Sequence, residues 1–313
     1  MAEASLSQAS AAPSYGQLWL AHAQRHPWIL AGLGLATLAL AALFLDSLTN
    51  QLAQGFDPRV RHALLGGLAG FAATAAGALP ALFLRGIAQR TEDVMLGLAA
   101  GMMLAASSFS LILPGLEAGE SITGSAPLGA GAVVLGLALG ALLMLGLDEF
   151  TPHAHDSTGP CGPGCERVGR VWLFVLAIAL HNLPEGMAIG VSFAQGDLTV
   201  GLPLTTAIAL QDLPEGLAVA MALRGAGLSP IRAVLVAGAS GFMEPLGALL
   251  GIGLSSGLAL AYPIGLGLAA GAMIFVVSHE VIPETHRNGH QTPATLGLMT
   301  GFAVMMVLDT TLG

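Results

Sequence analysis

His181-Asn182-Leu183-Pro184-Glu185-Gly186 and Gln211-Asp212-Leu213-Pro214-Glu215-Gly216 are two copies of one pattern, set thirty residues apart. Each copy puts polar side chains, a proline and a glutamate inside an otherwise apolar run, 171–195 for the first and 199–222 for the second. The hydrocarbon core of a bilayer is about 30 Å thick, so a spanning helix needs roughly 20 apolar residues at about 1.5 Å each. Both runs are long enough, and the short connection between them makes the two helices antiparallel. Residues i and i+4 lie about 40° apart around a helix, so His181 shares a face with Glu185, and Gln211 with Glu215. Asn182 and Asp212 lie within a turn of the same glutamates. Each proline frees the carbonyl four residues earlier, at Leu180 and Leu210, and can bend the helix locally. Two such faces turned together gather imidazole, amide and three carboxylates at one depth.

The rest of the chain is of the same kind. Its 313 residues are 54% hydrophobic and 9% charged, with a mean hydropathy of +0.77; a soluble domain has roughly 25% charged residues. Soluble globular and disordered classes are thereby excluded. The 43 glycines follow no three-residue period, which excludes collagen and leaves close helix packing. Ten arginines, no lysine and a net charge of −9 argue against a nucleic-acid partner. Two cysteines are too few for a disulfide framework.

The composition and its apolar runs read as an all-α polytopic membrane protein with nine transmembrane helices. The spans are 28–45, 62–84, 94–116, 127–147, 171–195, 199–222, 231–254, 263–284 and 294–312. The first follows a polar segment, 1–27, and has no clean cleavage pattern after it, so it reads as a retained helix rather than a signal peptide. The longest internal loop, 148–170, has 23 residues, too few for an ATP-binding domain. Eight arginines (Arg25, Arg85, Arg90, Arg167, Arg170, Arg224, Arg232, Arg287) fall on one side of this arrangement, and Arg59 and Arg61 on the other. The positive-inside bias puts the N-terminus and the 148–170 loop in the cytoplasm and the C-terminus outside. Five small-xxx-small pairs, Gly97/Gly101, Gly136/Gly140, Gly247/Gly251, Gly267/Gly271 and Gly297/Gly301, mark faces where backbones can meet.

Carboxylates within spans are the residues that need explaining: Glu185, Asp212, Glu215, Glu244 and Glu280. An ionised group at mid-bilayer costs about 2.5–3.5 kcal/mol on an insertion scale, so five would cost on the order of 12–18 kcal/mol. The one arginine in those spans, Arg232, stands at the very start of 231–254, twelve residues from Glu244 and too far along the helix to pair with it. Protons or bound cations would remove the cost, and neutral hydrogen-bonded acids are the plainer alternative. Imidazole among carboxylates suits Zn²⁺, Fe²⁺ or their neighbours, whereas an all-oxygen set would suit Mg²⁺ or Ca²⁺. With three or more carboxylates together, Glu185 and Glu215 are the natural bridges between two metals.

H-N-L-P-E-G at 181–186, Q-D-L-P-E-G at 211–216, G-F-M-E-P at 241–245 and S-H-E-V-I-P-E at 278–284 resemble the Zrt/Irt-like (ZIP) metal transporters, within them the bacterial GufA-like branch. The resemblance covers about 60–313. It implies an eight-helix bundle of 3+2+3 inverted-repeat design, with 28–45 as an extra N-terminal helix. It further implies uptake of divalent metal, Zn²⁺ and also Cd²⁺, Fe²⁺ or Mn²⁺, into the cytoplasm of a bacterium across its inner membrane, and a homodimer. The metal is substrate; no catalytic cofactor is expected.

Carried onto this chain, the binuclear site uses His181, Asn182, Glu185, Gln211, Asp212, Glu215 and Glu244. One metal takes His181, Glu185, Gln211, Glu215 and Glu244; the other takes Asn182, Asp212 and the bridging glutamates. Met103 and Ser110 match pathway-lining positions, and His279, Glu280 and Asp309 lie along the metal's route on the other side. The resemblance also implies elevator-like sliding of the motif-bearing bundle against a fixed wall that includes span 127–147. Where many eukaryotic members lead the second motif with histidine, this chain has Gln211 and Asp212, which makes the site harder and more oxygen-rich.

The 148–170 loop offers His153, His155, Cys161 and Cys165, a set that suits Zn²⁺ and equally suits an ordinary loop. Asp148 reads as a helix-end cap or a metal stop, and His286 and His290 stand similarly in the 285–293 loop. Two rival classes differ in their requirements. A metal-selective channel would use the same residues. An intramembrane metalloprotease needs two histidines at i and i+4 around H-E-x-x-H; His279-Glu280 begins that pattern, but position 283 is proline.

Overall fold

A computed structural model describes residues 15–35, 37–38, 45, 49, 57–84, 86–150, 153–155, 159–161, 170–225, 227–254 and 260–312. A short helix, α1 (Tyr15–Arg25), is followed by further helical residues at 27–35, the described beginning of the expected 28–45 span. The long helices are α2 (Pro58–Leu82), α3 (Gln89–Thr123), α4 (Ala126–Phe150), α5 (Arg170–Ser192), α6 (Leu198–Gly225), α7 (Pro230–Gly253), α8 (Ala261–His286) and α9 (Gln291–Thr311). All but α5 are long and apolar enough, on their described residues, to cross a membrane; α5 has 23 residues, about 35 Å of helix. The chain is a multi-pass membrane protein.

Local chemistry sets the ends. Asp57 caps α2 by accepting from Arg59 N at 2.8 Å, with Pro58 in the first turn, where a missing N–H costs nothing. The Arg59 side chain also hydrogen-bonds the Asp57 carboxylate and holds its pKa below the usual range. Gly124, at φ 69°, ends α3 in the left-handed conformation and lets α4 start two residues later. In the 148–170 loop, His153–His155 and Gly159–Cys161 pair as two short antiparallel strands, β1 and β2.

Two expected spans depart from plain helices. α3 is 35 residues long, well beyond one bilayer crossing, and its turns widen to π-helical over Ala106–Ile112; α8 does the same over Val277–Val281. The α7 helix breaks at Gly241–Phe242, whose amides bond back to Gly238 and Ala239, and restarts at Met243.

The long helices pack in pairs: α3 along α9, α4 along α8, α5 along α7 and α2 along α6, with α2 also against α7. The result is two four-helix groups, α2/α5/α6/α7 and α3/α4/α8/α9. Inside each group glycine permits the contact. A Cβ on Gly97 or Gly101 would strike the α9 backbone, and one on Gly297 or Gly301 the α3 backbone. Gly136 and Gly140 face α8, Gly267 and Gly271 face α4, and Gly247 and Gly251 face α5 in the same way. All five predicted glycine pairs are thus used within the chain, and none of those faces is left for the expected homodimer. The two groups meet through a common apolar cluster that includes Met103 and Leu111 of α3, Ile189 of α5, Ile208 of α6 and Met273 of α8. Tyr262 is 6% exposed, whereas Trp28 and Trp172, near the ends of their helices, are open.

Candidate metal centre

The two motif helices run through their prolines without breaking, Pro184 in α5 and Pro214 in α6, so the faces expected from i, i+4 spacing are kept. They turn toward each other: one oxygen from each of Glu185, Asp212 and Glu215 lies within 4.8 Å of the other two. Gln211 Nε2 donates to Glu185 Oε1 at 2.6 Å, tying α6 to α5. Glu244 comes from the restart of α7, where the exposed amides and positive end of a helix favour a carboxylate. Its Oε1 accepts from Thr74 Oγ1 of α2 at 2.8 Å, and its carboxyl meets that of Asp212.

Glu185, Gln211 and Glu244 are wholly buried, Asp212 and Asn182 nearly so. Glu185 Oε2, Gln211 Oε1, Asp212 Oδ2 and Glu244 Oε2 are buried acceptors that no donor reaches. Two carboxyls in contact are both acceptors unless a proton or a cation lies between them, and in a dry interior such repulsion is not left standing. Orphaned oxygens drawn together from α5, α6 and α7 are the donor set of a hard or borderline cation. His181 of α5 is not among the three converging groups: its Nε2 lies 3.5 Å from Glu280 Oε2 of α8, with its ring within electrostatic reach of Glu215.

A family model described as ZIP Zinc transporter matches residues 162–309. A protein named Zinc transporter ZIPB, from Bordetella bronchiseptica, is 66% identical over 94% of this chain and 96% of its own length. The chain belongs to the ZIP family. Zinc transporter GufA of Myxococcus xanthus is 42% identical over 77% of this chain and 95% of its own, which places the chain in the GufA-like branch. Zinc transporter ZIP11 of Homo sapiens is 32% identical over 81% and 98%. ZIP proteins are transporters, not enzymes.

The remaining expected residues of this ZIP chain lie mostly on α3/α4/α8/α9. Met103 is buried in the apolar cluster, and Ser107 Oγ bonds its carbonyl. Ser110 Oγ donates to Asp309 Oδ1 at 2.6 Å, joining α3 to α9, so Asp309 stands with Ser110 and not on the opposite side with His279 and Glu280. Asp148, at the end of α4, lies 3.7 Å from the His279 ring of α8. His181–Glu280 links α5 to α8 and His279–Asp148 links α8 to α4, two histidine–carboxylate contacts on neighbouring residues of α8. His290 turns instead to Asp93 (2.8 Å), which also accepts from Asn288, and His286 Nδ1 lies 2.8 Å from its own helix's Ile282 carbonyl. In the loop, His153 and Cys161 are cross-strand partners along the backbone; Cys165 lies outside the described residues.

Sequence reasoning missed Thr74 and the glycines around Glu244. A Cβ on Gly70 would overlap the Glu244 carboxyl and come 3.2 Å from Asp212 Oδ2. A lone threonine in an apolar span gives no signal of its own; the glycine-rich face of α2 around it is the nearest cue.

Proposed function

We propose that the chain carries divalent transition-metal ions, chiefly Zn²⁺ and also Cd²⁺, Fe²⁺ or Mn²⁺, across the bacterial inner membrane into the cytoplasm. The observation that carries this reading is the convergence of Glu185, Asp212 and Glu215 with buried oxygens that no donor satisfies. Relatives named zinc transporters support the choice of cargo. Glu185 and Glu215 bridge two ions. His181 and Gln211 complete one, and Asn182 and Asp212 the other. The contact between Glu244 and Asp212 favours moving Glu244 to the second ion, away from His181.

The eight-helix domain, 60–313, has a 3+2+3 inverted repeat, preceded by an extra helix at 28–45 and a cytoplasmic 1–27. Several features support this. The pairs α3/α9 and α4/α8 exchange under such a pseudo-twofold, as do α2/α6 and α5/α7. The π-helical stretches fall on α3 and α8, the middle helices of the two repeats, each closely followed by proline, Pro114 and Pro283. Broken or widened helices at a repeat interface suit a midplane substrate site.

The mechanism is alternating access of elevator type. Every carboxylate of the cluster rides on α2/α5/α6/α7, and among the described residues no glycine-to-backbone contact crosses to α3/α4/α8/α9. One group can therefore slide on the other without unlocking backbone seams. Ser110 and Asp309 line the outer approach; Glu280, His279 and Asp148 accept the ion on the cytoplasmic side.

The test is Zn²⁺ entry into liposomes holding the purified protein, read by an internal metal-sensing dye without ATP. Saturable entry that Glu215→Gln abolishes is the expected result. Equal entry by wild type and variant would overturn the site assignment, and unsaturated fast conductance would replace the carrier with a channel.

A further inference from the structure

His22 and His26 sit one helical turn apart at the end of α1, joined by the His26 N to His22 O hydrogen bond of 3.1 Å. Residues i and i+4 share a face, and a histidine pair at that spacing is a chelating pair on a helix. Their rings lie 4.6 Å apart, centroid to centroid. Both point their Nε2 atoms at the same carboxylate oxygen, Glu149 Oε1 at the end of α4, at 2.8 Å from His22 and 3.4 Å from His26. The three ligand atoms fall within 4.8 Å of one another.

A plain ion pair accounts for this poorly. His22 Nε2 is cut off from water, and its 2.8 Å contact with Glu149 does not make a hydrogen bond. Two imidazoles competing for one oxygen also leave one of them badly served. A tetrahedral zinc ion with bonds of about 2.0–2.1 Å holds its ligand atoms roughly 3.3–3.4 Å apart, close to the spacings found here. Glu149 and His26 keep part of their surface exposed, which leaves access for water as a fourth ligand.

We infer that His22, His26 and Glu149 form a second divalent-metal site, of Zn²⁺ type, that fastens α1 to the end of α4. The residues around it suit a fastening. Trp19 and the His22 ring pack on Phe150 at 5.7 and 5.4 Å, and Ala23 is buried. Glu149 is next in sequence to Asp148, which faces His279 on the route proposed above. The site therefore stands beside the mouth of that route, on the group proposed to stay still, and would fill when Zn²⁺ there is abundant. The inference needs only the geometry of α1 and α4 and stands whether or not the transport reading holds.

The experiment uses the full-length protein in detergent and Zn²⁺ as the probe. Bound Zn²⁺ per chain is measured by equilibrium dialysis for wild type, for His22→Ala/His26→Ala and for Glu149→Gln. Backbone hydrogen exchange over 15–26 is followed with and without Zn²⁺. The expected result is the loss of one equivalent in both variants, with Zn²⁺-dependent protection of 15–26 present in wild type and absent in the variants. Unchanged stoichiometry, or wild-type exchange over 15–26 that ignores Zn²⁺, would overturn the inference. Glu185→Gln, run alongside, reports on the central cluster alone, so failure there is separable from failure here.

Discussion

Inside each four-helix group the helices meet backbone to backbone, while between the groups they meet through side chains. Gly140 of α4 sits against the Leu268 carbonyl of α8, and Gly190 of α5 against that of Ala248 in α7. Across the boundary lie Met103, Ile189, Ile208 and Met273, flexible or branched hydrocarbon, and among the described residues no glycine meets a backbone across it. Within lipid there is no hydrophobic drive to hold helices together, so close van der Waals packing through small residues makes the rigid seams. A side-chain seam can repack by rotamer changes, which is what a moving boundary requires. The proposed ligands are divided accordingly: the carboxylate cluster belongs wholly to one group, and Glu280, His279 and Asp148 to the other.

This comparison can be tested from its strongest consequence downward. Glu215→Gln, in the group that holds the cargo, should cut Zn²⁺ uptake to below about a tenth of wild type, the scale on which metal sites respond to loss of a supporting group. Ser110→Ala, on the facing group, should slow uptake only about two- to tenfold, as the loss of about 0.5–1.5 kcal/mol of hydrogen bond to Asp309 would do. Equal losses from both in the liposome assay would break the division of roles. Gly140→Val should then lower stability by about 1–3 kcal/mol through overpacking, seen as a fall in thermal unfolding temperature. Ile208→Val at the boundary should cost about 0.5–1.5 kcal/mol and change uptake per folded molecule.

A further effect, on stability alone, tests neither seam. Removing the α2 cap with Asp57→Ala should cost about 0.5–2 kcal/mol. Because Arg59 lowers the Asp57 pKa in the folded protein, that contribution is present above an unfolded pKa of about 4 and is lost as pH falls through the lower folded value. Thermal unfolding of wild type and variant should therefore converge in acid and separate near neutrality.

Much of this was legible beforehand. Length and apolar content mark the helices because a bilayer demands both, and buried charge is costly enough that Glu185, Asp212, Glu215 and Glu244 announce a site. The histidine pair at 22 and 26 was also readable as spacing, yet nothing in sequence says that Glu149, more than a hundred residues on, closes it. The five glycine pairs show where backbones can approach without showing which partner they meet.

The sequence by itself determined the kind of molecule, which polar residues stand inside its spans and their register on α5 and α6, since these follow from local periodicity and from the cost of charge in hydrocarbon. Only the tertiary structure decided that Glu244 arrives at Asp212 through a break in α7, that Thr74 holds it there and that His181 faces Glu280. It alone sorted the helices into two groups with seams of different make. Those outcomes depend on how distant segments pack, and packing is a property of pairs of surfaces that no single helix carries.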